Sequence, residues 1–299
     1  MSRPIPVSVA ICTRNRARLL GRAIESIRPQ LLPGDELLVV DDASTDDTEA
    51  TARRLGARYV GAESNQGIAR NRNRAVRAAT RDVILFVDDD CVVEPDWRAA
   101  LARAMTARPD ADAWMGRVRI PKDGYLADCI SDLGFPAGGN VGFDRMWPVG
   151  SDGTTTSLST CNCAIRSSVF ERFGAFEEEI PRWSSGEDTI LAARLIDGGG
   201  TIVYWPEMVA WHEPRRGLAS FLRWHLGRGR SVFFTRRHLG SIKRYGKTRL
   251  WSTANVLTHA AHEARLPTVG LLFVFAAICQ LVGFWQARLG LMDTGQTYG

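Results

Sequence analysis

Three consecutive aspartates, Asp88-Asp89-Asp90, close the apolar run 83–87. Carboxylates crowded at a strand end repel one another unless a cation neutralises them. With phosphate oxygens they make a hard site suited to Mg2+ or Mn2+. A metal held there supplies Lewis-acid chemistry to a departing diphosphate. The competing reading is an Asp-rich turn or helix cap. Asp41-Asp42 stand before Ser44-Thr45-Asp46. A carboxylate there can accept the imide N–H of uracil or thymine, but D-D-x-S-T-D is equally a helix N-cap. Gly186-Glu187-Asp188 opens another helical stretch. The helix dipole stabilises a carboxylate in the first turn, and one that faces a crevice can act as a general base. His212 stands alone in the sequence. Near a metal it can supply a neutral ligand.

The elements that must position these residues alternate. Short apolar runs at 7–12, 36–40, 58–60 and 83–87 read as strands. Helical stretches lie between them: 17–27 ended by Pro29, one capped at 44–46 and running to about 55, and the basic 67–79. Strands separated by helices mean βαβ units and a parallel sheet. In such sheets ligands bind at the carboxyl ends of the strands. Those ends carry Thr13-Arg14-Asn15, Asp41-Asp42, Glu63-Ser64-Asn65-Gln66 and the aspartate run, which suggests one crevice. Beyond it, 95–107 predicts a helix and 113–120 a strand. The stretch 121–160 is irregular and rich in Gly, Ser and Thr; loops of that length are often functional. Strands at 161–165 and 201–205 and helices at 169–173 and 187–198 follow.

Charge is unevenly spread. The 299 residues carry +5 overall, yet residues 215–250 hold eleven Lys/Arg and no Asp or Glu. Such a block implies an anionic partner: phospholipid head groups, a pyrophosphate or nucleic acid. The segment 218–237 reads as a basic amphipathic helix at a membrane surface. The uncharged stretch 266–285 is long enough, at ~1.5 Å per residue, to cross a bilayer core. Gln280, Pro267, Gly270 and Gly283 interrupt it, and a buried core or oligomer helix is the competing reading. The six cysteines form no disulfide framework; Cys161 and Cys163 make a C-x-C that lacks further ligands. Residues 1–6 contain no apolar leader, so the expected compartment is the cytosol.

Taken in order, several segments resemble the family-2 glycosyltransferases with the GT-A fold. They are Val7–Asn15, Val39–Asp46, Asn65–Asn71, Ile84–Asp90 with Pro95-Asp96-Trp97 behind it, Asn162–Arg166, Phe173–Glu178 and Gly186–Asp188. The resemblance implies an α/β fold with a Rossmann-like, mixed and mostly parallel sheet flanked by helices over residues 1–214. A basic segment (215–250) and a hydrophobic C-terminal helix (251–299) follow. It implies that Thr13, Arg14 and Asp42 contact the donor nucleotide, with Asn65 and Arg70 near the base or ribose. Asp88 and Asp90 then form a D-x-D pair, Asp90 being the metal ligand, with Asp89 beside them on the donor. His212 resembles an additional metal ligand, and Asp188 the base that deprotonates the acceptor hydroxyl, with inversion at the anomeric carbon. Glu187, Trp183, Arg223 and Trp224 are candidates for the acceptor or the diphosphate.

Processive members carry Q-x-x-R-W, where this chain has Ser220-Phe221-Leu222-Arg223-Trp224. The missing Gln and the single hydrophobic span predict one sugar added per encounter. The partners expected are a nucleotide-diphosphate sugar, a lipid-linked or glycan acceptor and an anionic membrane surface on the cytoplasmic side, and not nucleic acid. Two alternatives compete. A sugar nucleotidyltransferase wants a Gly-rich phosphate loop after the first strand, and residues 13–18 hold no glycine. A non-catalytic membrane module would lack Asp90 or Asp188, and both are present.

Overall fold

The computed structural model describes residues 4–181, 185–239 and 242–291, the side chains of 242–247 excepted. Trp183, one of the acceptor candidates, lies outside the described residues. The first half is built of β1 (Ser8–Thr13), α1 (Ala17–Ile27), β2 (Glu36–Asp41), α2 (Thr48–Arg54), β3 (Arg58–Gly61), α3 (Ile68–Ala78) and β4 (Val83–Asp88). These four strands pair in parallel in the order β3-β2-β1-β4. Val9–Ile11, Leu38–Val40 and Val83–Val87 are buried, as strands covered on both faces must be.

The second half adds β5 (Cys91–Val93), α4 (Trp97–Ala107), β6 (Ala113–Arg119), α5 (Tyr125–Ser131), α6 (Phe143–Met146), β7 (Thr154–Thr155), β8 (Asn162–Arg166), α7 (Ser167–Phe173), α8 (Glu187–Asp197) and β9 (Ile202–His212). The sheet continues past β4 as β8-β6-β9-β5, with β7 on β9. Here β8 runs antiparallel to both β4 and β6, so the sheet is mixed. The motif residues away from the strand ends are scaffold. Asn162 accepts the Trp97 indole N–H at 2.8 Å and donates to the Arg117 and Met208 carbonyls. Asn73 of α3 both donates to and accepts from the Phe176 backbone at 2.9 Å.

One strand is longer than the sequence suggests. β9 passes through Pro206 to His212, and its register against β6 shifts between Gly116 and Arg117. The extra residues form a bulge, where a proline costs no ladder hydrogen bond. The continuation pairs His212 with Cys91, which brings the histidine beside Asp90.

The chain ends in α9 (Leu218–Thr235), α10 (Ile242–His262) and α11 (Leu266–Arg288). The sequence reading has no helix at α10. It treats 215–250 as a membrane-surface segment, whereas α9 and α10 pack on the body of the protein. A second apolar core joins Cys129, Ile130 and Met146 to Phe221, Val256, Val269 and Ala276. α9 and α11 touch backbone to backbone. A Cβ on Gly229 would lie 2.0 Å from the Gln280 carbonyl oxygen, and one on Gly283 2.1 Å from that of Leu226. Gln280 Nε2 also meets His225 Nδ1 at 2.9 Å. α11 is long and apolar enough to cross a membrane.

A glycine contact of this kind makes a graded forecast. Gly229→Ala forces the helices apart and costs about 1–3 kcal/mol. Gly270→Ala, in the same helix pair but with open space around it, gains up to ~1 kcal/mol from helix propensity. Thermal melts of the two variants should therefore move in opposite directions, and equal shifts would contradict the packing.

Candidate active site

The carboxyl ends of β1, β2 and β4 open on one cavity of about 1270 Å3. Thr13, Arg14, Asp42, Asn65, Asp88, Asp89, Asp90, Glu187, Asp188 and Trp224 all line it. Four candidate residues are missing from that wall. Arg70 faces outward and pairs with Glu178 at 3.4 Å. Arg223 is exposed and lies outside the cavity lining. His212 stands behind the wall, beside Asp90. Trp183 is not among the described residues.

Two arginines from different places neutralise the aspartate run. Asp88 receives Arg72 of α3 at 3.3 Å. Asp89 accepts the Thr13 hydroxyl at 2.7 Å and Arg16 at 3.0 Å. The same Arg16 nitrogen lies 3.0 Å from Asp90 Oδ2. Thr13 and Asp89 are thus bonded to each other in the cavity wall. Burial pushes the Asp89 carboxyl up to about 7 against the pull of Arg16, with Asp90 repelling it further. Asp88 is also raised, by burial first, with Arg72 opposing.

Asp90 and His212 make the arrangement most in need of a cation. His212 Nε2 lies 3.2 Å from Asp90 Oδ1. Its Nδ1 lies 2.8 Å from the Glu213 carbonyl oxygen, which can only accept, so in the neutral ring the proton sits on Nδ1. The bare Nε2 lone pair then faces Asp90 Oδ1, a buried oxygen with no hydrogen-bond donor among the described residues. Two acceptors meeting in this way fit a divalent cation of hard or borderline character. Cys91 is near enough to join them, all three ligand atoms falling within 4.8 Å. Burial holds its thiol far above the usual range. Cys161 and Cys163 are likewise buried thiols.

The remaining candidates divide into latches and open groups. The Asp42 carboxylate accepts the Gln66 and Gly67 backbone N–H groups, each at 2.8 Å, which fixes the loop carrying Asn65. Arg14 Nε is buried with no acceptor among the described residues. Glu187 is 1% exposed and closely bonded to Arg72 through Oε1, while its Oε2 has no hydrogen bond among the described residues. Asp188 beside it is half-buried. Its Oδ1 takes the Thr189 N–H at 2.7 Å, and Oδ2 has no hydrogen bond among the described residues. Sequence reasoning missed Arg16 and Arg72. The signal for Arg72 was its place two residues from Arg70: two helical positions turn by about 200°, so only one of the pair can face the sheet.

The model described as glycosyl transferase family 2 matches residues 8–174, more than half of the chain. The chain belongs to this family. It is 24% identical over 269 residues to the glycosyltransferase AglE of Haloferax volcanii, covering 86% of this chain and 83% of AglE. It is 30% identical to the succinoglycan biosynthesis protein ExoM of Rhizobium meliloti, over 83% of this chain and 79% of ExoM. Among solved structures it resembles the mannosyltransferase PcManGT from Pyrobaculum calidifontis, determined with GDP-Man and Mn2+. That match has a TM-score of 0.62 at 20% identity and covers 97% of this chain and 89% of that one. This family-2 glycosyltransferase therefore has the GT-A fold, and the nucleotidyltransferase and non-catalytic alternatives fall away.

The Arg72 bridge yields a stability forecast. Arg72→Met leaves the buried Glu187 unpaired and should cost about 3–5 kcal/mol, as broken buried ion pairs do. Denaturant unfolding of the double variant Arg72→Met, Glu187→Gln should recover much of that loss.

Proposed function

We propose that this glycosyltransferase moves one sugar from a nucleotide-diphosphate donor to an acceptor hydroxyl by single displacement with inversion. The observation that carries this reading is the opening of Asp188 onto the cavity that also holds the ends of β1, β2 and β4. Asp42 accepts the base N–H through the lone pairs its loop contacts leave over. Asn65 lies beside it, and the unpartnered Arg14 Nε–H supplies a donor to the nucleotide. Asp90 and His212 would hold a divalent cation, Mg2+ or Mn2+, with Asp88 alongside. That ion would neutralise the leaving diphosphate. Arg16, already bridging Asp89 and Asp90, keeps the aspartate run compact before donor arrives. Asp188 Oδ2 takes the proton from the acceptor hydroxyl as the C–O bond forms, and the Thr189 N–H on Oδ1 fixes the carboxylate's orientation.

The acceptor is a lipid-linked or glycan hydroxyl, and the enzyme works at the cytoplasmic face of a membrane. α11 supports this placement, with Leu271, Ile278, Leu281 and Trp285 exposed along one side. The Lys/Arg-rich segment before it supports the cytoplasmic orientation.

Full-length protein with Mn2+ and a panel of nucleotide sugars tests the reading. One donor should raise the melting temperature and be consumed with an acceptor. Asp188→Asn should keep the donor's thermal protection and lose transfer by about a hundred- to ten-thousand-fold. Transfer at the native rate by Asp188→Asn would remove the base assignment. His212→Gln should weaken Mn2+ binding, read by titration calorimetry, at least about tenfold. Unchanged Mn2+ affinity would remove the metal assignment.

A further inference from the structure

Asp90 and His212 come from different parts of the chain, and one neighbouring residue is bonded to both. The Glu213 backbone N–H donates to the Asp90 carbonyl oxygen at 2.9 Å. The Glu213 carbonyl oxygen lies 2.8 Å from His212 Nδ1 and accepts its proton. The first bond fixes where Asp90 stands against the end of β9. The second fixes the imidazole and turns Nε2 toward Asp90 Oδ1, 3.2 Å away. This peptide segment cannot shift without moving one ligand atom relative to the other.

The side chain of the same residue holds that backbone. β9 ends at His212, so Glu213 lies just past the last ladder pair, His212 with Cys91. Its carboxylate is gripped from two directions. Oε2 meets Arg22 Nη1 of α1 at 3.0 Å, and Oε1 meets Arg216 Nη1 at 2.9 Å. Arg216 goes on to Asp123, at the start of the irregular stretch after β6. Both carboxylate oxygens are therefore committed to arginines, and neither is offered to an ion.

α1 reaches this corner twice. Arg16, immediately before the helix, lies 3.0 Å from Asp90 Oδ2, and Arg22 holds Glu213. Six residues of helix set these anchors about 9 Å apart along the axis. One stiff element thus braces Asp90 and, separately, the residue after His212. Arg216 adds a brace from the turn that leads into α9. The side chains of Arg22 and Arg216 are 48% and 59% exposed. Ion pairs at such exposure stabilise a fold little, so what this pair of bridges supplies is orientation.

We propose that Glu213 is a positioning residue for the divalent cation. Clamped by Arg22 and Arg216, it keeps its own backbone bonded to Asp90 and His212, and so keeps Oδ1 and Nε2 aimed at one point. The proposal rests on the reading of Asp90 and His212 as metal ligands, and the test tells the two apart.

Mn2+ binding to the full-length protein in non-ionic detergent, measured by titration calorimetry, needs no donor, acceptor or turnover. Glu213→Ala should weaken it about tenfold, the lower end for loss of a group that orients a metal ligand. Arg22→Gln should weaken it about two- to fivefold. Added to Glu213→Ala, Arg22→Gln should change nothing further, because the arginine acts only through Glu213. Glu207→Ala, in the same strand but paired with Arg103, should bind Mn2+ as the native chain does. The metal-free melting temperature of Glu213→Ala should move by no more than about 2 °C; should it fall further, Arg22→Gln carries the test. A second readout is the His212 tautomer, from ring 15N shifts in histidine-labelled, metal-free protein. The native ring should carry its proton on Nδ1, and Glu213→Ala should show both tautomers. Native Mn2+ affinity in Glu213→Ala, or a further loss on adding Arg22→Gln to it, overturns the proposal. If His212→Gln weakens Mn2+ binding and Glu213→Ala does not, the metal assignment stands and the positioning role alone is lost. If neither weakens it, both are lost together.

Discussion

Three adjacent carboxylates at the end of a buried strand set the terms for the rest of the molecule. Their mutual repulsion must be offset, and three separate elements converge on them. Arg72 comes from α3, Thr13 and Arg16 from the end of β1 and the turn after it, and His212 from the far end of β9, where it faces Asp90 without neutralising it. The aspartate run thereby ties the parallel half of the sheet to the mixed half. Two of the three carboxylates are largely occupied by these partners. The third keeps one buried oxygen facing an imidazole lone pair, and that imbalance is the opening for a cation.

The same economy governs the arginines. Where a carboxylate is within reach, an arginine here is structural: Arg98 forms a forked pair with Asp35 deep in the core, at 2.8 and 3.0 Å. Past residue 213 acids are absent until Glu263. Arg228 of α9 lies against the Phe135 and Trp224 rings, as a planar guanidinium can.

Much of the fold was legible because strand and helix periods alternate clearly through residues 7–107, and the strand-end residues Asp42, Asn65 and Asp88–Asp90 do share one cavity. What the pattern could not carry was direction and distance. Arg70 and Arg72 both sit on a basic helix, and only packing decides which of them turns toward Asp88. Pro206 looked like the end of a strand, because the bulge that tolerates it depends on β6, ninety residues earlier in the chain. With the strand cut short, His212 looked isolated. α10 went unread because its apolar residues are interleaved with basic ones. Its buried side, Ser252, Val256 and Ala260, is small and partly polar.

Two of the residues that weaken α11 as a pure membrane span, Gln280 and Gly283, are explained by its packing on α9. A helix surrounded by lipid gains nothing from Gln280 or Gly283. Gln280 meets His225 and Arg249, and Gly283 lets the Leu226 carbonyl approach to a distance no larger residue permits. Pro267 falls in the first turn, where a missing N–H is harmless. Gln280 and Gly283 lie on the side of α11 that packs on α9, and the exposed apolar residues lie elsewhere on it. Close approach of α9 and α11 is also what sets Trp224 and Phe284 into the cavity wall. Separating the helices would unmake the wall, so the apolar helix serves the site whether or not its outer face meets lipid.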